Sequence, residues 1–397
     1  MFPDFEHAIS RLGTDAEKYE LRQRLFGSES VLPMWVADQD LPTPDFILDA
    51  LKRRLEHPIL GYNVMPDSLY QSIMDWQAQY GYDVKASEIL FTHNVANGFF
   101  MAVSAFSEPG DAVLVQPPIY PPFLHAPENN GRRLVEAPLV LQDNRYQIDF
   151  EAFETAITEN DVKLFLFCNP QNPSGRVWRR EELQRLADIC LKHGVTVVSD
   201  EIHADMTFPP LQHTPMASLS EEVAHNTVTL SSPGKTFNLG GLQSGYAIIA
   251  NRVLKAAYLK VCRANSIHDL NLFGKEAMQA AYSEAGKAYR DTLLAHLQHN
   301  IDRLEQTLAD CLPAVRVMRP EASFLVWLDF SELFGTKFQS QEDLKRWLTE
   351  TAQLGLNDGE SFGEVGKGFM RINIAVPTET MDEALKRFKD AAGVLNH

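Results

Sequence analysis

Cysteine is scarce in this 397-residue chain: Cys168, Cys190, Cys262 and Cys311 are widely scattered and form no CxxC pair. No disulfide framework is expected, and a reducing cytoplasm is the expected compartment. Long apolar runs are missing too. The longest, such as 164–168, fall far below the ~20 residues of a membrane helix. The opening MFPDFEHAIS has neither a basic start nor an apolar core, so no signal peptide is expected. Positive charge is in deficit, with 36 Lys and Arg against 53 Asp and Glu and a net charge of −17. That field repels phosphate backbones and anionic lipid heads, which argues against nucleic-acid and membrane partners. Repeats and low-complexity linkers are absent.

What remains is a globular composition, 45% hydrophobic and 22% charged, long enough for two domains with a core that needs no staples. Short runs rich in β-branched and aromatic residues recur at 89–92, 112–116, 163–168, 195–199, 227–230 and 245–250. Helical patterns intervene, as at 180–193, where Leu183, Leu186, Ala187 and Cys190 share one face. Strands apolar on both faces alternating with helices predict an α/β fold, a mostly parallel sheet covered on both sides. Beyond a long helix carrying Leu293, Leu297, Ile301, Leu304 and Leu308, the order changes to strand 323–330, helix 341–354, strand 369–375 and helix 379–395. Thr380 and Glu383 read as a capping box near the start of that last helix. The expected division is an arm at 1–45 joining a smaller α+β unit at 286–397, with a large domain at 46–285.

Ligands of open α/β sheets gather beyond the carboxyl ends of the strands. Those ends here carry Tyr120 after 112–116, Asn169 after 163–168, Asp200 and His203 after 195–199, and Ser232 and Lys235 after 227–230. Singly, each is ordinary turn or surface chemistry. Together, an aromatic ring, a carboxamide, a carboxylate and an amine make a kit for an aromatic, anionic cofactor bearing a carbonyl. Gly234-Lys235-Thr236 is not a P-loop, because Thr229 stands where the first glycine belongs and Gly240-Gly241 interrupts the following segment. A metal on Asp200, His203 and Asp205 has too few ligands in reach, so no metal site is expected.

With these motifs assembled, the chain resembles the fold-type I pyridoxal-phosphate enzymes, and among them the MalY/PatB group of cystathionine β-lyases and other C–S lyases. The resemblance runs nearly end to end. It is carried by Met34-Trp35-Val36-Ala37-Asp38, Gly61-Tyr62, the Tyr120 loop, the CNPxNPxG stretch from Cys168 to Gly175, Ser199-Asp200-Glu201-Ile202-His203, Ser232-Pro233-Gly234-Lys235-Thr236-Phe237-Asn238, Asn357-Asp358-Gly359 and Arg371-Ile372-Asn373. It implies pyridoxal 5'-phosphate as cofactor, with Lys235 as the catalytic amine that forms a Schiff base and moves the Cα proton. Asp200 would hold the ring nitrogen protonated, Asn169 and His203 would meet the ring hydroxyl, and Tyr120 would stack on the ring. The phosphate would rest on the amides of Val95 and Ala96 and on Ser232, with Tyr62 arriving from a second subunit of a homodimer. Arg371, with Ala37 and Tyr120, would hold the amino-acid substrate.

The resemblance further implies α,β-elimination of L-cysteine S-conjugates such as cystathionine, to a thiol, pyruvate and ammonia. An aminotransferase on the same scaffold is the neighbouring possibility, and a regulatory protein acting through contact with a transcription activator is a more distant one. Several positions depart from the family's pattern. Gln39 and Leu41 replace Met and Phe, Gln171 replaces His, Asn97 replaces Pro, and Gln243 replaces a residue that is often basic. Of these, Gln39 is expected to reshape the substrate side-chain pocket.

Overall fold

The computed structural model describes residues 4–267 and 269–396, so positions 1–3 of the expected arm, and 268 and 397, lie outside the described residues. The main sheet has seven strands: β1 (Ile89–Thr92), β2 (Ala112–Val115), β3 (Arg133–Glu136), β4 (Val162–Cys168), β5 (Thr196–Asp200), β6 (Thr227–Ser231) and β7 (Gly245–Ile248). Their spatial order is β1-β7-β6-β5-β4-β2-β3. Only β7 runs antiparallel to its neighbours, and every other pair is parallel. The mostly parallel sheet expected from the apolar runs is therefore the one formed.

Strand alternation sorts the core onto two faces. Leu164 and Leu166 of β4 join Val113, Val115 and Val198 on one side, with Phe99 and Val103 of the helix α1 (Val95–Phe106). Phe165 and Phe167 join Leu114 and Val197 on the other, beneath Leu183, Leu186 and Cys190 of the helix α2 (Arg180–His193). Each such fully buried side chain contributes on the order of 2 kcal/mol. Helix α1 lies close on the sheet because Gly98 permits it. A Cβ there would come within 2.9 Å of the Leu230 side chain.

A second, four-stranded antiparallel sheet follows the 28-residue helix α3 (Glu284–Cys311). It comprises β8 (Arg316–Met318), β9 (Leu325–Asp329), β10 (Asn357–Asp358) and β11 (Phe369–Asn373), in the order β8-β9-β11-β10. The last helix, α4 (Thr378–Asn396), packs against α3. Two local expectations fail here. The helix expected over 341–354 is α-helical only across Gln341–Arg346 and widens to a π turn over Trp347–Thr351. Gln353 then adopts φ +52°, and Leu354–Gly355 becomes a short strand. That strand pairs in parallel with Leu32–Pro33, so a tertiary partner overrides local helix propensity. The capping box fails because α4 begins at Thr378, putting Thr380 inside the helix. Glu383 instead accepts a hydrogen bond from Arg387 Nε at 2.7 Å.

The N-terminal arm threads along this second sheet. Met34 N–H donates to Gly355 at 2.8 Å, Asn373 N–H to Met34 at 2.9 Å, and Asp40 N–H to Ala375 at 2.9 Å. The arm thereby carries Ala37 and Asp38 to the carboxyl edge of the main sheet. Among the described residues, no helix is long and apolar enough to cross a membrane.

Candidate active site

A cavity of about 580 Å³ opens where β4, β5 and β6 end, with the start of α1 on one side and the arm on another. That volume suits a cofactor together with a small substrate. Strand register builds it: Cys168 pairs with Asp200, and Asp200 with Leu230, so the polar residues that follow emerge side by side. Asp200, His203, Ser232 and Lys235 line the cavity, as do Tyr120, Val95, Ala96 and Ala37. Three of the expected residues stand elsewhere. Asn169 lies beside the wall, its N–H donating to the carbonyl of Asp200 at 2.9 Å. Arg371 lies behind Asn172, which lines the cavity and accepts from Arg371 Nη1 at 3.0 Å. Tyr62 is fully exposed, outside this chain's cavity.

Burial sets the protonation of the central groups. Lys235 Nζ donates to the carbonyl of Ala37 at 2.6 Å and has no carboxylate in salt-bridge reach among the described residues. Desolvation first, and then the charge of Arg371, lower its pKa to about 8. Asp200 moves the opposite way, raised to about 7 by burial, with Lys235 pulling it back. Amine and carboxylate thus approach neutrality from opposite sides. Burial drives the His203 imidazole well below its ordinary value, and the positive charges of Lys235 and Arg371 add to the effect, so it is neutral. Its Nδ1 has no partner.

Arg371, on β11, is a buried cation without an anion among the described residues. Its guanidinium donates to Asn172 Oδ1, to Asn357 Oδ1 at 2.7 Å and to the carbonyl of Trp35 at 3.2 Å, and lies 4.8 Å from the Phe362 ring centroid. All these partners are neutral, so desolvation lowers its pKa to about 10. Nε remains unpartnered. A group so placed gains most by accepting a carboxylate.

At the other end, Asn94 caps α1 by accepting from Asn97 N–H at 2.7 Å, a bond that proline at 97 would forfeit. The N–H groups of Val95 and Ala96 donate to nothing among the described residues. Ser232 Oγ donates to the carbonyl of Ser244 at 2.5 Å and accepts from Gly234 N–H. The free hydroxyl beside it belongs to Ser244, buried and unpartnered on the cavity wall. Gln243 accepts from Asn94 Nδ2 at 2.6 Å through Oε1. With Asn169 Oδ1 also buried and unpartnered, the wall offers donors and acceptors that the protein leaves idle. They fit a phosphorylated aromatic aldehyde with a ring nitrogen, as pyridoxal phosphate is. The phosphate would meet Val95, Ala96 and Ser244, and the ring polar groups would meet Asp200, Asn169 and His203.

Gln39 does not reshape a side-chain pocket. It is buried, and its Nε2 donates to the backbone carbonyls of Lys235 at 2.7 Å and Thr236 at 3.1 Å. A carboxamide there finds two acceptors from the lysine loop, which is why it turns inward. Gln171 is likewise structural, donating to the carbonyl of Pro118 and accepting from Ser174. Asp205 points away from Asp200, accepting from Trp76 Nε1 at 2.8 Å and from Tyr80. Sequence reasoning missed Asn172 and Asn357 as partners of Arg371, although both lie in quoted motifs. It also missed the ion cluster of Arg11, Lys18, Asp38 and Asp40, for which spacing gives no signal.

Residues 36–388 match the family described as aminotransferase class I and II. The cystathionine beta-lyase PatB of Bacillus subtilis (strain 168) is 42% identical over 389 residues, covering 98% of this chain and 99% of that protein. Cystalysin of Treponema denticola, whose crystal structure contains a pyridoxal 5'-phosphate cofactor, superposes with a TM-score of 0.95 at 32% identity and 100% coverage of both chains. The PLP-bound C-S lyase of Staphylococcus hominis gives a TM-score of 0.90 at 32% identity, covering 98% of this chain and 97% of that one.

Proposed function

This chain belongs to the class I and II aminotransferase family, and from that premise we propose that it is a pyridoxal-phosphate-dependent carbon–sulfur β-lyase acting on L-cysteine S-conjugates, cystathionine first among them. One conjugate and one water give one thiol, one pyruvate and one ammonia. The observation that carries the reading is a half-buried amine on the cavity wall and a buried guanidinium just behind it, neither of them paired to a carboxylate among the described residues.

Each residue then has a task its surroundings prepare. Arg371 receives the α-carboxylate through two parallel hydrogen bonds. Lys235, whose pKa near 8 leaves a fraction neutral at physiological pH, takes the proton from Cα. The cofactor, when bound, supplies the sink for the electron pair left on Cα. Asp200 and Tyr120, both on the cavity wall, would hold the cofactor, the carboxylate by pairing with a protonated ring nitrogen and the phenol ring by packing against it. The Cβ–S bond then breaks with its electrons on sulfur, and the thiolate, with pKa ~8.5, leaves far more readily than hydroxide. Water hydrolyses the released enamine to pyruvate and ammonia. Elimination is preferred to amino transfer because PatB and the Staphylococcus hominis protein named above are lyases, and His203 replaces the tyrosine usual in aminotransferases.

The same reading makes the working unit a cytoplasmic homodimer with shared sites. Tyr62 stands fully exposed beside Ile59 (67% exposed), Leu60 and Val64, an apolar strip that a second subunit would cover. The test supplies cystathionine without a keto acid and follows pyruvate. Release over many turnovers supports elimination. Arrest after one equivalent, relieved by a keto acid, would establish an aminotransferase instead.

A further inference from the structure

Five charged side chains line the cavity: Arg11, Glu17, Asp38, Asp200 and Lys235. Four are accounted for. Arg11 donates to Asp38 Oδ2 and Asp40 Oδ1, each at 2.7 Å, so its positive charge is committed to two acids of the arm. Lys18, wholly buried, stands 2.8 Å from Asp40 and 3.8 Å from Asp38. Those two cations and two anions cancel. Asp200 and Lys235 act on one another's protonation at the inner end. Glu17 is what remains. It belongs to the short helix Glu17–Glu20, on which Lys18 turns into the core while Glu17 turns to the cavity mouth. Its carboxylate makes no hydrogen bond and no ion pair among the described residues. Together with Arg11, Ala37 and Asp38 it makes up the arm's side of the cavity.

We propose that Glu17 is a specificity-determining residue that favours S-conjugates whose thiol half carries a net positive charge over neutral, zwitterionic and anionic ones. The inference rests on the elimination reading for its substrate class. The α-carboxylate of every such substrate goes to Arg371, so conjugates differ only beyond sulfur. There, among the described residues of this chain, the mouth offers one uncompensated negative charge and no free cation, since Arg11 is already doubly engaged. An anionic thiol half meets repulsion, a neutral one indifference, and a cationic one attraction. Because Glu17 is exposed, the preference is modest and weakens with salt: about three- to tenfold per unit charge at low ionic strength.

The experiment uses the cofactor-loaded enzyme and three conjugates, S-(2-aminoethyl)-L-cysteine, its neutral isostere S-propyl-L-cysteine, and S-carboxymethyl-L-cysteine. Dissociation constants are read from the cofactor's absorbance change, and pyruvate release is followed separately. The expected order of affinity is cationic, neutral, anionic. In Glu17→Gln the ratio of cationic to neutral affinity falls about three- to tenfold, and in Glu17→Lys it inverts. Comparing variants cancels the difference in leaving-group acidity. A ratio unmoved by both substitutions overturns the proposal even if pyruvate is released from all three. A ratio that moves as expected with no pyruvate from any of them upholds Glu17 and overturns the elimination reading instead.

Discussion

Replacing Gln39 by methionine, the residue the family pattern has there, isolates what the carboxamide does. The volume is nearly kept, so little of the effect is packing. What goes is the one donor, among the described residues, to the carbonyls of Lys235 and Thr236, held at 2.7 and 3.1 Å in a side chain 1% exposed. Two such bonds are worth about 1 kcal/mol each, and two carbonyls left buried add about 1 kcal/mol or more apiece. Against this, Gln39 Oε1 is itself buried without a partner, and its removal returns about 1 kcal/mol. The net cost is about 3 kcal/mol. For a chain of 397 residues the unfolding entropy is about 0.8 kcal/mol/K, so melting falls by about 4 °C. The loop still docks, because Asn238 bonds the backbone of Gln39 on both sides, accepting at 3.0 Å and donating at 2.9 Å. The loss should therefore appear in thermal melts followed both by far-ultraviolet circular dichroism and by the cofactor's visible band, with preference among conjugates unchanged. A Gln39→Met protein that melts at or above the parent temperature refutes the argument. So does a change in conjugate preference with no change in stability, which would place the amide against the substrate.

Arg371→Ala should raise KM by about 100-fold or more with a smaller fall in kcat, since a bidentate charged contact to the carboxylate is lost before and during reaction. Asp200→Ala should retain cofactor yet lose kcat by orders of magnitude, and matching kinetic profiles for the two variants would contradict these roles. Cofactor uptake by the apo-protein should rise with pH and level off above about 8, because only neutral Lys235 attacks the aldehyde and burial has lowered it from 10.5. The folded lysine also holds fewer protons than the unfolded one in this window, so its contribution to stability grows from pH 8 towards 10.5, and an uptake inflection at the upper value would exclude the burial effect. Mixing inactive Tyr62→Ala and Lys235→Ala subunits should recover about a quarter of the parental activity, since half the dimers are hybrids with one intact site each. No recovery after verified subunit exchange would show that each chain is self-sufficient.

The strand-end chemistry was legible because parallel strands buried on both faces tolerate only apolar residues, and Tyr120, Asp200 and Lys235 stand out where those runs stop. The two-sided core was legible for the same reason, although the face each residue takes, Leu164 on one and Phe165 on the other, was not. Longer-range relations were not. Nothing in the spacing of Arg11, Lys18 and Asp40 announces one ion cluster, because irregular backbone has no period. Gln39 looked like a pocket residue because it stands near the end expected to hold the substrate carboxylate, yet its direction is set by carbonyls 196 and 197 positions away. The break after Arg346 was hidden because residues 341–351 suit a helix well enough. What ends it is the pairing of Leu354 with Leu32, which local propensity does not report.

That pairing has a consequence for how the molecule is made. Leu32 and Leu354 are 322 positions apart (354 − 32), and the arm they anchor presents the carbonyl that receives Lys235. On a ribosome adding about 5–20 residues per second, the arm waits roughly 15–60 seconds for its partner strand. The parallel sheet and the lysine loop are by then complete in sequence, whereas one wall of the cavity is not. Synthesis order therefore works as a timer: a nascent chain exposes its reactive amine early but encloses it only when nearly all of the polypeptide has emerged.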